Sequence, residues 1–261
     1  MTVYISSVTD EDSRIAKLAL SEFPWREVKD IDEMGKAMGN DTRVALLAHG
    51  DDSGITIGDS MYGFDELYPL LRGREVYFVS CKVGSKIDEM IRNGVAGALG
   101  YRSTFVYIED MTIPDESDVY LKMSFLPVRA ALHALGTEDL VSAFKEHYAT
   151  TLNAISMLSP SMWTDEVANL TISALEFNQH NLTLRTDTMP ESISWVVPWR
   201  RPVPHIRRTL IRRLEIPSTL SDIKSMLARG IPLFVVVIPP LLVYFLTTLT
   251  ETKRVVEEVV R

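Results

Sequence analysis

The sequence predicts a doubly wound α/β domain, a mostly parallel sheet flanked by helices, followed by a C-terminal transmembrane helix. Three observations carry this prediction. Short apolar runs of strand length alternate with helical spacings, as in Val44–Ala48, then Phe64–Leu71, then Val76–Val79. Two of these runs end abruptly in chemically active residues, His49-Gly50 and Ser80-Cys81. Near the other end, Gly230–Thr250 runs 21 residues without a charge, enough for a helix to cross a hydrocarbon layer of about 30 Å.

Taken in order, Val3–Val8 reads as a buried first strand, and the hydroxyl and acidic residues Thr9-Asp10-Glu11-Asp12 suit a helix N-terminus. Arg14–Phe23 has amphipathic helical spacing, which Pro24 ends; Glu27–Ile31 fits a short strand and Asp32–Met38 a small helix. After His49, the glycine-punctuated stretch Asp51–Asp59 fits a small hairpin. The crossover from Val44–Ala48 through Phe64–Leu71 to Val76–Val79 makes those two strands parallel neighbours or near neighbours. Ser85–Arg92 is helical, and Gly94–Tyr101 reads as a further parallel strand with small residues for close packing. Helices are expected at Asp118–Leu135, broken or kinked by Pro127, and at Glu138–Ser156. An edge hairpin is expected from Ser173–Phe177 and Leu182–Thr186 across Asn178–Asn181.

Open α/β sheets hold their ligands and chemistry at the carboxyl ends of the strands, where both His49 and Cys81 fall. A thiol becomes nucleophilic as its thiolate, and a nearby imidazole supplies the base. The glycine after His49 lets backbone approach a substrate carbonyl, so the N–H groups of Gly50 and Cys81 form a candidate oxyanion hole. At these residues the chain resembles the caspase-like (clan CD) cysteine peptidases, in which a His-Gly ends one strand and an Ala-Cys or Ser-Cys ends the next. The resemblance covers roughly residues 1–135. It implies a caspase-like (flavodoxin-like) sheet, His49 as base, Gly50 as oxyanion donor, Cys81 as nucleophile, and a protein or peptide substrate. Val79-Ser80-Cys81-Lys82-Val83-Gly84 departs from the Gln-Ala-Cys-x-Gly of animal caspases, so the match is to the broader bacterial group. Acidic residues near the strand ends, Asp51, Asp52, Glu109 and Asp110, are candidates for a substrate pocket favouring a basic residue.

Composition narrows the alternatives. With 261 residues, 46% of them hydrophobic, the chain can bury a full core, and a net charge of −8 gives it no general attraction to nucleic acid. A single cysteine excludes an internal disulfide framework and fits an intracellular thiol enzyme. No secretory signal is read at Met1–Val8. His133 and His147 have no partners at metal-ligand spacing, and the activity expected here needs neither metal nor organic cofactor. Two rival readings remain open: a catalytically silent caspase-fold binding or signalling module at the membrane, and a flavodoxin-like nucleotide binder. The latter is disfavoured by the lack of a glycine-rich phosphate loop.

The expected organisation is an α/β domain over 1–190, a basic linker over 191–229, a membrane helix over 230–250 and a short tail over 251–261. Pro239-Pro240 should kink the membrane helix, which membrane spans tolerate. Basic residues cluster before the span and are sparse after it, so the positive-inside rule puts the N-terminal domain in the cytoplasm. Arg200, Arg201, Arg207, Arg208, Arg212 and Arg213, with Trp195 and Trp199, suit a linker lying on anionic headgroups rather than on nucleic acid.

Overall fold

The computed structural model describes residues 2–7, 10–109, 118–161 and 165–195. The chain divides into two compact units, Met1–Val203 and Pro204–Arg261. The second lies outside the described residues, as do Asp110, the arginine-rich stretch from Arg200 to Arg213, and the 230–250 span. Among the described residues no helix is long and apolar enough to cross a membrane.

In chain order the elements are β1 (Thr2–Ser6), α1 (Glu11–Ala19), β2 (Arg26–Glu27), α2 (Ile31–Met38), β3 (Arg43–Leu47), β4 (Gly54–Ile57), β5 (Ser60–Gly63) and α3 (Phe64–Leu71). They continue with β6 (Glu75–Val79), α4 (Ile87–Arg92), β7 (Gly97–Tyr101), α5 (Val119–Thr137), α6 (Leu140–Leu158), α7 (Glu166–Asn181) and β8 (Leu182–Thr186). The main sheet has the order β2-β1-β3-β6-β7-β8, parallel except for β8, which runs antiparallel to β7. Leaving aside the β4–β5 hairpin, the parallel strands follow the doubly wound order 2-1-3-4-5, with one antiparallel edge. The chain winds outward from β1 to β2, then reverses and builds the other side from β3. Loops leaving β1 and β3 therefore diverge at their carboxyl ends and open a crevice between them.

Alternating side chains divide the central strands between two cores. Ala45 and Leu47 of β3 and Tyr77 and Val79 of β6 face a core with Ile15 of α1 and Leu20 just after it, Phe125 and Leu132 of α5, and Phe144 of α6. Val44, Leu46, Val76 and Phe78 face the opposite core, with Met34 and Met38 of α2, Leu67 and Leu71 of α3, and Met90 of α4. Burial on both faces explains why β3 and β6 read as continuous apolar runs rather than alternating ones.

Two local expectations need correction. Residues 166–181 form the single helix α7 and not one arm of a hairpin; only β8 of the expected pair is a strand. Asn178 and Gln179 look like turn residues, but both are buried and bonded. Asn178 receives the Val106 N–H on Oδ1 and donates Nδ2 to the Val106 carbonyl, so a side chain does the work of a strand edge. Pro127 does not end its helix: α5 runs through it, with the ring buried against the core. Trp195 lies against Phe144 and Tyr148 of α6, at ring separations of 4.9 and 5.2 Å. Ile193 pairs with Leu184 of β8, so the chain is still part of the α/β unit at Trp195, whose indole remains partly exposed.

Candidate functional site

The strands themselves bring His49 and Cys81 together. Leu47 is the register partner of Val79 in the parallel β3–β6 pair, so His49 and Cys81 each follow two residues after a paired position, at the ends of adjacent strands. Strand alternation continued past Leu47 and Val79, which face the α1 and α5 side, would turn His49 and Cys81 the same way. Ser80 fastens the two strand ends, its buried hydroxyl donating to the Ala48 carbonyl. A Cβ on Gly50 would sit 2.9 Å from Val83 Cγ2 and 3.0 Å from the Cys81 carbonyl oxygen, so a larger residue here would crowd the Val83 side chain and the Cys81 backbone.

Gly50 also begins the hairpin. It forms an isolated antiparallel bridge with Ile55, flanked by hydrogen bonds from the Thr56 N–H to the His49 carbonyl (2.9 Å) and from the Asp51 N–H to the Gly54 carbonyl (3.1 Å). In a pair of this kind the N–H of the central residue points away from its partner, which leaves the Gly50 N–H outside the hairpin ladder. Ser7, at the end of β1, donates its hydroxyl to the Thr56 carbonyl at 2.9 Å and holds the hairpin beside the crevice.

Beyond Cys81 the chain turns sharply. Lys82 has φ +61°, the one non-glycine residue in the left-handed region among the described residues, a conformation that costs a side-chain-bearing residue about 1–2 kcal/mol. Its N–H donates to the Ser103 carbonyl at 2.9 Å, while the Val83 N–H returns to the Cys81 carbonyl at 2.9 Å. This turn carries the backbone out of the sheet and leaves Cys81 half-buried at the rim. Its sulfur accepts the Phe105 N–H at 3.4 Å, from the segment that crosses the strand ends after β7.

His49 is half exposed, and its Nε2 stands 2.6 Å from Oδ2 of Asp10, with side-chain exposures of 46% and 53%. Asp10 immediately precedes α1, in the loop that leaves β1, so the pair spans the crevice where the strand order reverses. Sequence reading took Asp10 for a helix-capping residue only. The available signal was an acid at the carboxyl end of the strand beside the histidine-bearing one, and that adjacency is known only once β1 and β3 are seen to pair.

The acidic pocket candidates fare differently. Asp51 Oδ1 accepts from the Ser53 N–H (2.7 Å), the Ser53 hydroxyl (2.5 Å) and the Gly54 N–H (3.1 Å). These bonds, the Ser53 hydroxyl first, hold its carboxyl below the usual range, so that oxygen is committed to the loop turn and not to a substrate. Asp52 is exposed on the same turn, and Glu109 is half-buried at the far end of the segment that contains Phe105.

Beneath the rim lies a buried polar chain that sequence reading did not find. Tyr77 Oη and Tyr101 Oη are 3.0 Å apart, Tyr101 Oη and His147 Nε2 3.0 Å, and His147 Nδ1 and Gln179 Oε1 2.8 Å. One direction of donation satisfies every member: Tyr77 to Tyr101, Tyr101 to a neutral His147, and the imidazole Nδ1–H to Gln179. Burial drives the His147 pKa down to about 4, against the opposing pull of Gln179. Burial also raises Tyr101 well above its ordinary value, with Tyr77 and the Cys81 sulfur adding to the effect. The phenol is a neutral floor beside the sulfur, not an acid.

Among the described residues no group of three or more His, Cys, Asp or Glu side chains could hold a metal ion. The chemistry available is that of a thiol, an imidazole on the adjacent strand end, a carboxylate on that imidazole, and backbone N–H groups around the sulfur. No family model, curated protein or solved structure matches this chain.

Proposed function

We propose that this chain is a cysteine endopeptidase of caspase-like type, held at a membrane by Gly230–Thr250 with its α/β domain facing the cytoplasm. The observation that supports it best is the register of β3 and β6, which ends two residues before His49 and Cys81 and so puts both at the carboxyl ends of adjacent parallel strands next to the crevice. In this reading His49 removes the Cys81 proton and the sulfur attacks the substrate carbonyl carbon. The N–H groups of Gly50 and Cys81 receive the oxyanion. The imidazolium returns its proton to the leaving amine, and an acyl-thioester remains on Cys81. His49 then activates water, which releases the acid and restores the thiol. No cofactor takes part. Anionic headgroups are the proposed contacts of Arg200, Arg201, Arg207, Arg208, Arg212 and Arg213, six residues in a stretch without a carboxylate.

The rival reading, a silent binding module, draws on the Phe105 N–H resting on the sulfur. One experiment separates the two. The full chain is incubated with a fluorogenic peptide library beside Cys81→Ala and His49→Ala, and each protein is checked for unchanged circular dichroism. The peptidase reading expects cleavage by the wild type alone, with losses of several orders of magnitude in both variants. Wild-type cleavage no faster than that of Cys81→Ala, with a thiol inert to iodoacetamide, would leave the silent module as the better description.

A further inference from the structure

We propose that Asp10 is a positioning residue for His49: it accepts the Nε2–H and so presents Nδ1 as the basic nitrogen toward Cys81. The inference rests on the dyad reading and adds a third member to it. A neutral imidazole carries one N–H and one lone pair, and the partner of one nitrogen decides which is which. With Asp10 Oδ2 at 2.6 Å from Nε2, that nitrogen is the donor, because a carboxylate is an acceptor only. Nδ1 is left as the base.

The placement follows from topology. Asp10, His49 and Cys81 follow the carboxyl ends of β1, β3 and β6, three consecutive strands of the sheet, so the three residues come in that order along one edge of it. The pair is about half exposed, and exposed ion pairs contribute little to stability. Its consequence is therefore orientation and charge. When Cys81 loses its proton to His49, the new imidazolium sits against a carboxylate, which favours the thiolate–imidazolium pair over thiol and neutral ring. Charged side chains on this rim include Asp51, held in its turn, and Lys82, close enough to Asp51 to help lower its pKa. Asp51 Oδ1 already takes three hydrogen bonds, and a lysine ammonium accepts none.

The test uses the full chain and iodoacetamide as probe, with alkylation rates of Cys81 measured from pH 5.5 to 10 in wild type, Asp10→Asn, Asp10→Glu and His49→Ala. Loss of one exposed opposite charge moves an apparent pKa by roughly half a unit to one unit. Asp10→Asn is therefore expected to alkylate about 3–10-fold more slowly near pH 6.5 and at the wild-type rate at pH 10, with Asp10→Glu between the two. A merely structural role would lower the rate equally at every pH or not at all, and either pattern overturns the proposal. If His49→Ala shifts the profile and Asp10→Asn does not, the dyad stands and Asp10 has no part in it. If neither shifts the profile and the wild type cleaves no peptide, the dyad reading falls and takes this inference with it. Should Asp10→Asn fail to fold, nitrogen NMR of His49 in the wild type decides, since a neutral ring protonated at Nε2 supports the assignment and one protonated at Nδ1 overturns it.

Discussion

The buried His147 makes the stability of the domain depend on pH in a window where few other groups titrate. In the fold its pKa is about 4, whereas an exposed histidine titrates near 6.5. The unfolded chain therefore binds this proton more readily than the folded one. The stabilising contribution is complete above pH 6.5 and is lost as pH falls from 6.5 toward 4. Each pKa unit is worth about 1.4 kcal/mol, so the full difference is about 3 kcal/mol, of which about 2 kcal/mol disappears between pH 7.5 and 5. Protonation would also reverse the chain of hydrogen bonds: Nε2 would become a donor to Tyr101, Tyr101 would have to donate to Tyr77, and the Tyr77 hydroxyl, fully buried, would lose its acceptor.

Chemical denaturation of the full chain at pH 7.5, 6 and 5, beside His147→Gln, reads the effect. The variant should be less stable at pH 7.5 and should converge on the wild type by about 2 kcal/mol at pH 5. Glu75, Glu166 and Glu176, raised by burial, have the opposite sign, since their contribution is lost as pH rises above the ordinary glutamate range. They are common to both proteins, so the difference between the two curves isolates His147. Parallel curves over this range, or an imidazole NMR titration of His147 with a midpoint near 6, would refute the reasoning.

Period and punctuation made most of the sheet legible. β3, α3 and β6 were read within a residue of their observed limits because apolar runs of strand length flank a helix of regular spacing, and a connection of that length forces parallel pairing. The same logic put His49 and Cys81 at strand ends. It failed where polar residues serve the interior. Asn178 and Gln179 were read as a turn because isolated amides favour turns, yet here each is buried with a partner far away in sequence, Val106 for one and His147 for the other. Asp10 was missed for a related reason: its role depends on β1 lying beside β3 rather than beside β6, a fact of strand order with no local signature. Even the strain at Lys82 leaves no mark in sequence, since lysine is not a residue that announces a left-handed turn.

The remaining predictions concern the close approach at Gly50 and the membrane span. Gly50→Ala pushes a methyl to 2.9 Å from Val83 Cγ2 and 3.0 Å from the Cys81 carbonyl; the Val83 side chain or the adjoining backbone must shift, at a cost of about 1–3 kcal/mol. Peptide cleavage should fall far more than stability does, and unchanged activity would mean that Gly50 has no part in the oxyanion site. For the span, the fragment Met1–Arg213 should remain in the supernatant, while the full chain partitions into membranes and resists carbonate extraction. An uncharged 21-residue segment inserts almost irreversibly, whereas an arginine-rich linker alone releases at high salt. Val236→Arg and Val243→Arg lie near the centre of that segment, where each charge costs about 2.5–3.5 kcal/mol on insertion scales, so the double variant should shift to the soluble fraction. A wild-type full chain that stays in solution without detergent would make Gly230–Thr250 an element of a protein core, and the cytoplasm-facing anchor would have to be abandoned even if Cys81 proved to be a nucleophile.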